Sequence, residues 1–171
     1  MNDKICFIGH RLLYTHNVKN KLYKTIENEI KLGNHFFAVG VHGEYDKLVL
    51  EICLELKKRY EFIKIEIVST SLVYINRYLK CLPDGVETIM YDIEEIYYKQ
   101  RIVESNKKMV DNCDTLICYV DVTRNKSGAK LILDYAKTKK LKILNLYDKK
   151  DNCIHNLTQQ EKENFFKNLK H

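Results

Sequence analysis

Three loops of the sequence carry residue types that could bind an anionic ligand. The first contains Gly9, His10 and Arg11 and directly follows an apolar run. A glycine lets the backbone turn tightly and approach a ligand, and an arginine offers a fork of donors to a phosphate or a carboxylate. The alternative is an ordinary turn with two exposed polar side chains, and this segment alone favours neither interpretation.

The second loop runs from Gly40 to Asp46 and leads directly into a predicted helix. Gly40 and Gly43 suit a phosphate at a helix N-terminus, where unpaired N–H groups and the helix dipole favour an anion. The loop matches neither G-x-G-x-x-G nor the P-loop, which requires a Lys followed by Ser or Thr. Glu44 and Asp46 would repel a neighbouring phosphate, so we expect them to bind ribose hydroxyls or to cap the helix.

The third loop contains Ser127, Gly128, Ala129 and Lys130 and also opens a predicted helix. Its small residues would expose backbone N–H groups to an anion, and Lys126 or Lys130 could supply positive charge. A solvated basic loop is the alternative. Because such loops recur after three strands, the sequence favours a site for an anionic small molecule.

The elements that must position these loops are predicted from apolar runs and helical periodicity. Continuous apolar runs of about five residues are typical of strands buried on both faces of a parallel sheet. These runs are Lys4–Ile8, His35–Val39, Phe62–Val68, Thr115–Val120 and Leu141–Leu146. Helical patterns lie between the first two runs, between the second and the third, and over Lys130–Lys139. The alternation predicts an α/β fold, a Rossmann-like three-layer sandwich with a mainly parallel sheet of about five strands.

Open sheets of this class bind ligands beyond the carboxyl ends of the strands, near the point where the strand order reverses. We therefore predict that the first strand is central, in the order 3-2-1-4-5. Gly9, Gly43 and the Ser127-Gly128 pair should then line one crevice.

Residues 1–150 are predicted to form one domain. Residues 69–100 contain the only proline and show no clean period, so we expect an irregular insertion over one edge of the sheet. Thr158-Gln159-Gln160-Glu161 has the spacing of a capping box. Residues 151–171 are therefore predicted to form a C-terminal tail with a short helix packed on the same domain.

Composition excludes several classes of protein. With 45% hydrophobic and 30% charged residues, the 171-residue chain is globular rather than disordered. No apolar run approaches the roughly 20 residues that span a bilayer, and the first residues lack the layout of a signal peptide. We expect a cytoplasmic protein with no membrane partner. The six cysteines form no C-x-x-C pair, which favours buried reduced thiols, and we predict no metal and no cofactor.

Six sequence blocks together resemble the SLOG superfamily, the Rossmann-like group that includes the lonely-guy (LOG) nucleotide phosphoribohydrolases. The resemblance is closest to small bacterial and phage members that begin with a strand ending in G-H-R. The matching blocks are Cys6–Arg11, Phe37–Asp46, Leu54–Tyr60, Leu82–Glu87, Asn106–Asp114 and Ser127–Lys130. The resemblance implies a Rossmann-like fold, a nucleotide-type ligand, and ligand contacts from the loops named above and from Asn106.

The sequence departs from the family pattern at positions that serve N-glycosidic chemistry. Ser105 stands where the family usually has an Arg, and Ser127 replaces one glycine of the phosphate-binding pair. Asp134 falls at the position of the catalytic Glu, one methylene shorter, and is the candidate catalytic residue that the resemblance implies. Loss of the Arg removes a two-point clamp on phosphate or on the transition state. We therefore expect glycosidic hydrolysis to be absent or very slow.

Three functions are carried forward, in this order. The first is a module that binds a nucleotide or a derivative, such as an ADP-ribose-like or cyclic signal, as a sensor or a sequestering protein. The second is a hydrolase or transferase acting on the N-glycosidic bond of a nucleoside phosphate, with Asp134, Asp46 or Glu44 as the carboxylate. The third is a nucleic-acid binder, for which the net charge of +6 and the lysines of residues 137–150 give only weak support. The family often dimerises, and the Tyr-rich residues 88–100 are the predicted surface for a homo-oligomer.

Overall fold

The computed structural model describes residues 3–13, 17–71 and 82–149. Within them, a six-stranded sheet has the order β4-β3-β2-β1-β5-β6, and every neighbouring pair of strands is parallel. The strands are β1 Lys4–Gly9, β2 Phe36–Val39, β3 Lys64–Val68, β4 Val86–Ile89, β5 Thr115–Tyr119 and β6 Lys142–Asn145. The predicted Rossmann-like α/β class is confirmed.

The predicted strand order is also confirmed for the five strands that the apolar runs identified. A sixth strand, β4, is the difference, and it lies inside the segment that we expected to be irregular. It extends the β3 edge of the sheet, with Ile65 opposite Val86 and Val68 opposite Ile89. Residues 72–81 of that segment and the predicted tail helix of residues 151–171 lie outside the described residues.

Four helices connect the strands: α1 Val18–Lys31, α2 Glu44–Lys57, α3 Arg101–Asp111 and α4 Gly128–Lys137. The four-residue spacing of apolar side chains in α1 buries Val18, Leu22, Ile26 and Ile30 against the sheet. Shortly after α1 the backbone turns at Gly33, whose φ of 99° is the left-handed conformation that favours glycine. Helix α4 begins and ends two residues earlier than the pattern indicated, because the Ser127 side chain caps its N-terminus.

The sheet separates two apolar cores. Alternate residues of β1, such as Ile5 and Phe7, point to the core under α1 and α2. Cys6 and Ile8 point to the opposite core, under α3 and α4. Burial of each such aliphatic or aromatic side chain contributes on the order of 1.5–3 kcal/mol, so both helical layers are held firmly over the sheet.

Other features of the described chain bear on the sequence predictions. No helix in these residues is both long and apolar enough to cross a membrane. Cys6, Cys53, Cys113 and Cys118 are buried free thiols. Tyr97 and Tyr98 are exposed in the Tyr-rich segment. The homo-oligomer stays a prediction.

Candidate functional site

A cavity of about 430 Å³ opens at the carboxyl ends of β1 and β5. It lies between the N-termini of α2 and α4, with one face of α3 as its third wall. Its lining residues come from all three predicted loops and from α3: Ile8, Gly9, His10, Arg11, Leu12, His42, Gly43, Asp46, Ile102, Val103, Asn106, Arg124, Lys126, Ser127, Gly128, Ala129 and Ile132. The predicted convergence of Gly9, Gly43 and Ser127-Gly128 on one crevice is therefore found.

Gly9 leaves space for a tyrosine at the base of the cavity. A Cβ at position 9 would lie 2.2 Å from Cγ of Tyr45, which is fully buried. The Tyr45 hydroxyl donates a hydrogen bond to the Ile117 carbonyl at 3.1 Å, which fixes the first turn of α2 against β5. Packing of Tyr45 thus accounts for the glycine at position 9, whereas the sequence had suggested close approach to a ligand.

The first two loops are tied to each other at Gly43 and Glu44. A Cβ at position 43 would lie 2.9 Å from Cα of Arg11, so the two backbones can approach only because residue 43 is a glycine. The Glu44 N–H donates to the Arg11 carbonyl at 2.9 Å, and Glu44 Oε2 accepts from the Leu13 N–H at 2.7 Å. Glu44 therefore anchors the first loop and, being exposed, points away from the cavity.

Asp46 is a half-buried carboxylate on the cavity wall. Its Oδ2 accepts a hydrogen bond from the His42 N–H at 2.8 Å, and a Cβ at position 40 would lie 2.8 Å from the same oxygen. Burial raises the pKa of Asp46 to about 6, and the hydrogen bonds from the N–H groups of His42 and Gly43 only partly oppose this rise. Asp46 can accept or donate a proton near neutral pH, and it can bind a ligand hydroxyl.

His10 is buried and bridges two other loops. Its Nε2 accepts a hydrogen bond from the Asp121 N–H at 2.8 Å, and its Nδ1 lies 3.3 Å from Oγ of Ser127. Burial lowers the pKa of His10, and the nearby charge of Arg124 lowers it further. The ring is therefore neutral near pH 7 and joins the β5 loop to the start of α4.

The N-terminus of α4 faces the cavity. The Ser127 hydroxyl oxygen accepts from the Lys130 N–H at 3.3 Å, as a helix N-cap does. Gly128 and Ala129 follow as the first helical residues and line the cavity, and a helix leaves the N–H groups of its first turn without partners inside the helix. A Cβ at Gly128 would meet nothing within 4 Å, so this wall is open to a ligand.

The cavity has positive side chains around much of its rim. Arg11, Arg124 and Lys126 line it, and Arg124 Nε lies 3.8 Å from the Asp121 carboxylate. The Arg11 Nε donates to the His42 carbonyl at 3.2 Å, which leaves the other nitrogens of the guanidinium turned to solvent. Burial and the Arg11 charge lower the pKa of His42, so this side chain adds no charge near pH 7. Three cations against one carboxylate favour an anionic ligand.

An apolar wall completes the site, and the sequence did not predict it. Leu12, Ile102 and Val103 line the cavity, and Leu12 and Ile102 are exposed there. Asn106 projects from the same face of α3, one turn further along. No pattern in the sequence shows which face of α3 is turned to the cavity, and of these four residues only Asn106 was predicted.

Several predicted residues lie outside this cavity. Gly40 and Glu44 line a neighbouring depression beside α2, and Lys130 lines another on the outer side of α4. Asp134 lies with Lys130 in that outer depression, half exposed, with its carboxylate 3.5 Å from Lys130 Nζ and 3.0 Å from Lys137 Nζ. The hydrogen bond from Lys137 and the charges of the two lysines lower its pKa. Asp134 is thus an ionised surface residue beside the cavity, not in its wall.

The described residues contain no group of three or more His, Cys, Asp and Glu side chains arranged to hold a metal ion. No protein-family model and no curated protein matches this chain. The function of the site must therefore be argued from its own geometry.

Proposed function

We propose that this protein binds a nucleotide or a nucleotide derivative in the cavity at the carboxyl edge of the sheet. One observation carries the proposal: the open N-terminus of α4 and the side chains of Arg11, Arg124 and Lys126 surround one cavity. Backbone N–H groups at a helix start, together with side-chain cations, are the usual receptors of phosphate. The protein then acts as a sensor or as a sequestering module.

The remaining walls suit the other parts of such a ligand. Ile102, Val103 and Leu12 offer an apolar surface to a base, and Asp46 and Asn106 offer acceptors to sugar hydroxyls. A volume of about 430 Å³ falls within the range of small-molecule sites, roughly 300–1,000 Å³. Membership of the SLOG superfamily is part of the proposal and rests on the six motif blocks.

The lysines near the C-terminal side of α4 support a nucleic-acid surface less well than a solvated face. Lys137 pairs with Asp134, Lys139 with Asp111, and Lys142 with the buried Glu29. Charges that are already neutralised by carboxylates release fewer counterions from a phosphate backbone. We therefore propose a small-molecule partner.

A thermal-shift screen against nucleoside mono- and diphosphates, ADP-ribose and cyclic dinucleotides tests the proposal, followed by calorimetry of the compounds that bind. Lys126→Ala should weaken binding roughly threefold to tenfold, since it removes a charge from the rim of the cavity. Lys58→Ala makes the same change of charge at the opposite end of α2 and should leave affinity unchanged. Equal losses in both variants, or no binding of any compound, would contradict the proposal.

A specific observation also supports a second candidate function, hydrolysis of an N-glycosidic bond. Of the carboxylates considered from the sequence, Asp46 alone lines the cavity, and its pKa of about 6 suits a general acid or base. This function ranks second because the position of the family arginine is the buried Ser105, so no guanidinium approaches the cavity from there.

Release of free base from nucleoside monophosphates and ADP-ribose, followed by chromatography, separates the two candidates. We expect little or no release above the level without protein. Release that is lost in Asp46→Asn but kept in Asp134→Asn would make the protein an enzyme with Asp46 as its acid or base. The second variant is the matched control because Asp134 lies outside the cavity.

A further inference from the structure

The hydrogen bonds of His10 fix which of its nitrogens carries the proton. A backbone N–H can only donate, so the Nε2 that faces the Asp121 N–H at 2.8 Å must be the unprotonated nitrogen. A neutral imidazole carries one proton, which is then on Nδ1. The proton on Nδ1 points at Oγ of Ser127, 3.3 Å away.

This arrangement determines what the Ser127 hydroxyl can do. Its oxygen accepts from His10 Nδ1–H and from the Lys130 N–H, so both of its lone pairs are used. Its own hydrogen is left as a donor, and Ser127 lines the cavity beside Gly128 and Ala129. His10 also cannot take the proton from Ser127, because Nδ1 already holds one, so the pair is not a nucleophile with its base.

We propose that His10 is a positioning residue that holds the Ser127 hydroxyl as a hydrogen-bond donor to an anionic oxygen bound at the start of α4. The proposal rests on the proposed function and names its polar contact: a ligand group with unprotonated oxygens, such as a phosphate. Ser127 then supplies a third donor beside the N–H groups of Gly128 and Ala129. The serine that replaces a family glycine thus adds a donor to this site.

Two substitutions of His10 separate its two hydrogen bonds. In His10→Asn the side-chain amide reaches the place of Nδ1 and can still donate to Ser127, but the Asp121 N–H loses its acceptor. In His10→Gln the longer side chain reaches the place of Nε2 and can still accept from Asp121, but Ser127 loses its donor. A purely structural role would make stability and anion affinity change together in both variants.

The experiment uses the full chain with inorganic sulfate, a probe whose charge does not change in the range where histidine titrates. Sulfate is titrated while the amide signals of Gly128 and Ala129 are followed by NMR, and the ¹⁵N signals of the His10 ring report its tautomer. Urea unfolding of each variant supplies the stability readout. Ser127→Ala, alone and combined with His10→Gln, completes a double-mutant cycle.

We expect a proton on Nδ1 and saturable shifts of both amide signals in the unaltered chain. His10→Gln should weaken sulfate binding roughly fivefold or more, whereas His10→Asn should stay within about twofold of the unaltered chain while losing stability. Ser127→Ala should add little to the loss in His10→Gln, because the same donor is then removed twice.

A proton on Nε2, or equal affinity in the Gln and Asn variants, would overturn the role of His10 and leave the anion site intact. Absence of any shift at Gly128 and Ala129 in the unaltered chain would remove the anion site itself, and with it both the proposed function and this role.

Discussion

The ring of Tyr45 occupies the space beside Gly9 that any larger residue at position 9 would need, with 2.2 Å between its Cγ and the place of a Cβ. Tyr45 is fully buried and its hydroxyl is bonded to the Ile117 carbonyl, so it has no room to withdraw. The contact joins the end of β1 to the start of α2. It therefore sets the distance between two walls of the cavity.

Gly9→Ala should destabilise the protein by about 1–3 kcal/mol, the usual cost of forcing a methyl group into a packed core. Urea unfolding measures the change. Gly128→Ala is the matched control, because a Cβ there meets nothing within 4 Å, and its stability should stay within about 0.5 kcal/mol of the unaltered chain. Equal stability of the two variants would show that Tyr45 moves aside at little cost.

Asp46 should make stability depend on pH. Its pKa is about 6 in the folded protein and 3.8 ordinarily, so the folded state binds the extra proton. The carboxyl therefore contributes stability at low pH that is lost as the pH rises through about 6. Relative to the unaltered chain, Asp46→Asn should gain stability between about pH 4 and pH 8.

Asp134→Asn is the control for this pH dependence. The pKa of Asp134 is lowered, so its carboxyl is ionised in both states at any pH well above 4. The difference between this variant and the unaltered chain should stay flat from about pH 5 to pH 8. The same flat profile in Asp46→Asn would mean that burial does not raise the pKa of Asp46.

Arg11→Ala should weaken binding of a phosphorylated ligand by on the order of 1.5–3 kcal/mol, the range for a hydrogen bond to a charged group. The reason is that the Arg11 guanidinium lines the cavity and is exposed, with its Nε held by the His42 carbonyl. Calorimetry measures the affinity. Arg59→Ala, which removes a surface arginine paired with Glu27 beyond the far end of α2, should have no effect. If Arg11→Ala also binds normally while remaining folded, residues 10 and 11 form an ordinary turn on the ligand side.

Much of the fold could be predicted from the sequence because strands buried on both faces leave continuous apolar runs. That signal found β1, β2, β3, β5 and β6 and their order. It missed β4, since Val86–Ile89 is an edge strand of four residues with Glu87 and Thr88 in it and one buried side chain. It also missed α3, because only Ser105, Met109 and Val110 of that helix are buried.

The site could be predicted only to the level of which loops meet. Parallel strands bring their carboxyl ends to one edge, so Gly9, Gly43 and Ser127 had to lie near one another. The direction of each side chain depends on helix phase, which places Asp46 in the cavity wall and turns Asp134 outward between two lysines. The same limit explains why the glycines at positions 9 and 43 were interpreted as ligand contacts, although the packing of Tyr45 and Arg11 requires them.

The most direct test of the central claim is the position of a bound nucleotide in a crystal structure, determined with the tightest ligand of the screen at saturation. The account predicts phosphate oxygens within hydrogen-bond distance of the N–H groups of Gly128 and Ala129, with the sugar toward Asp46. Density for the phosphate on the lysine face of Lys137 and Lys139, or an empty cavity beside a ligand bound elsewhere, would contradict it.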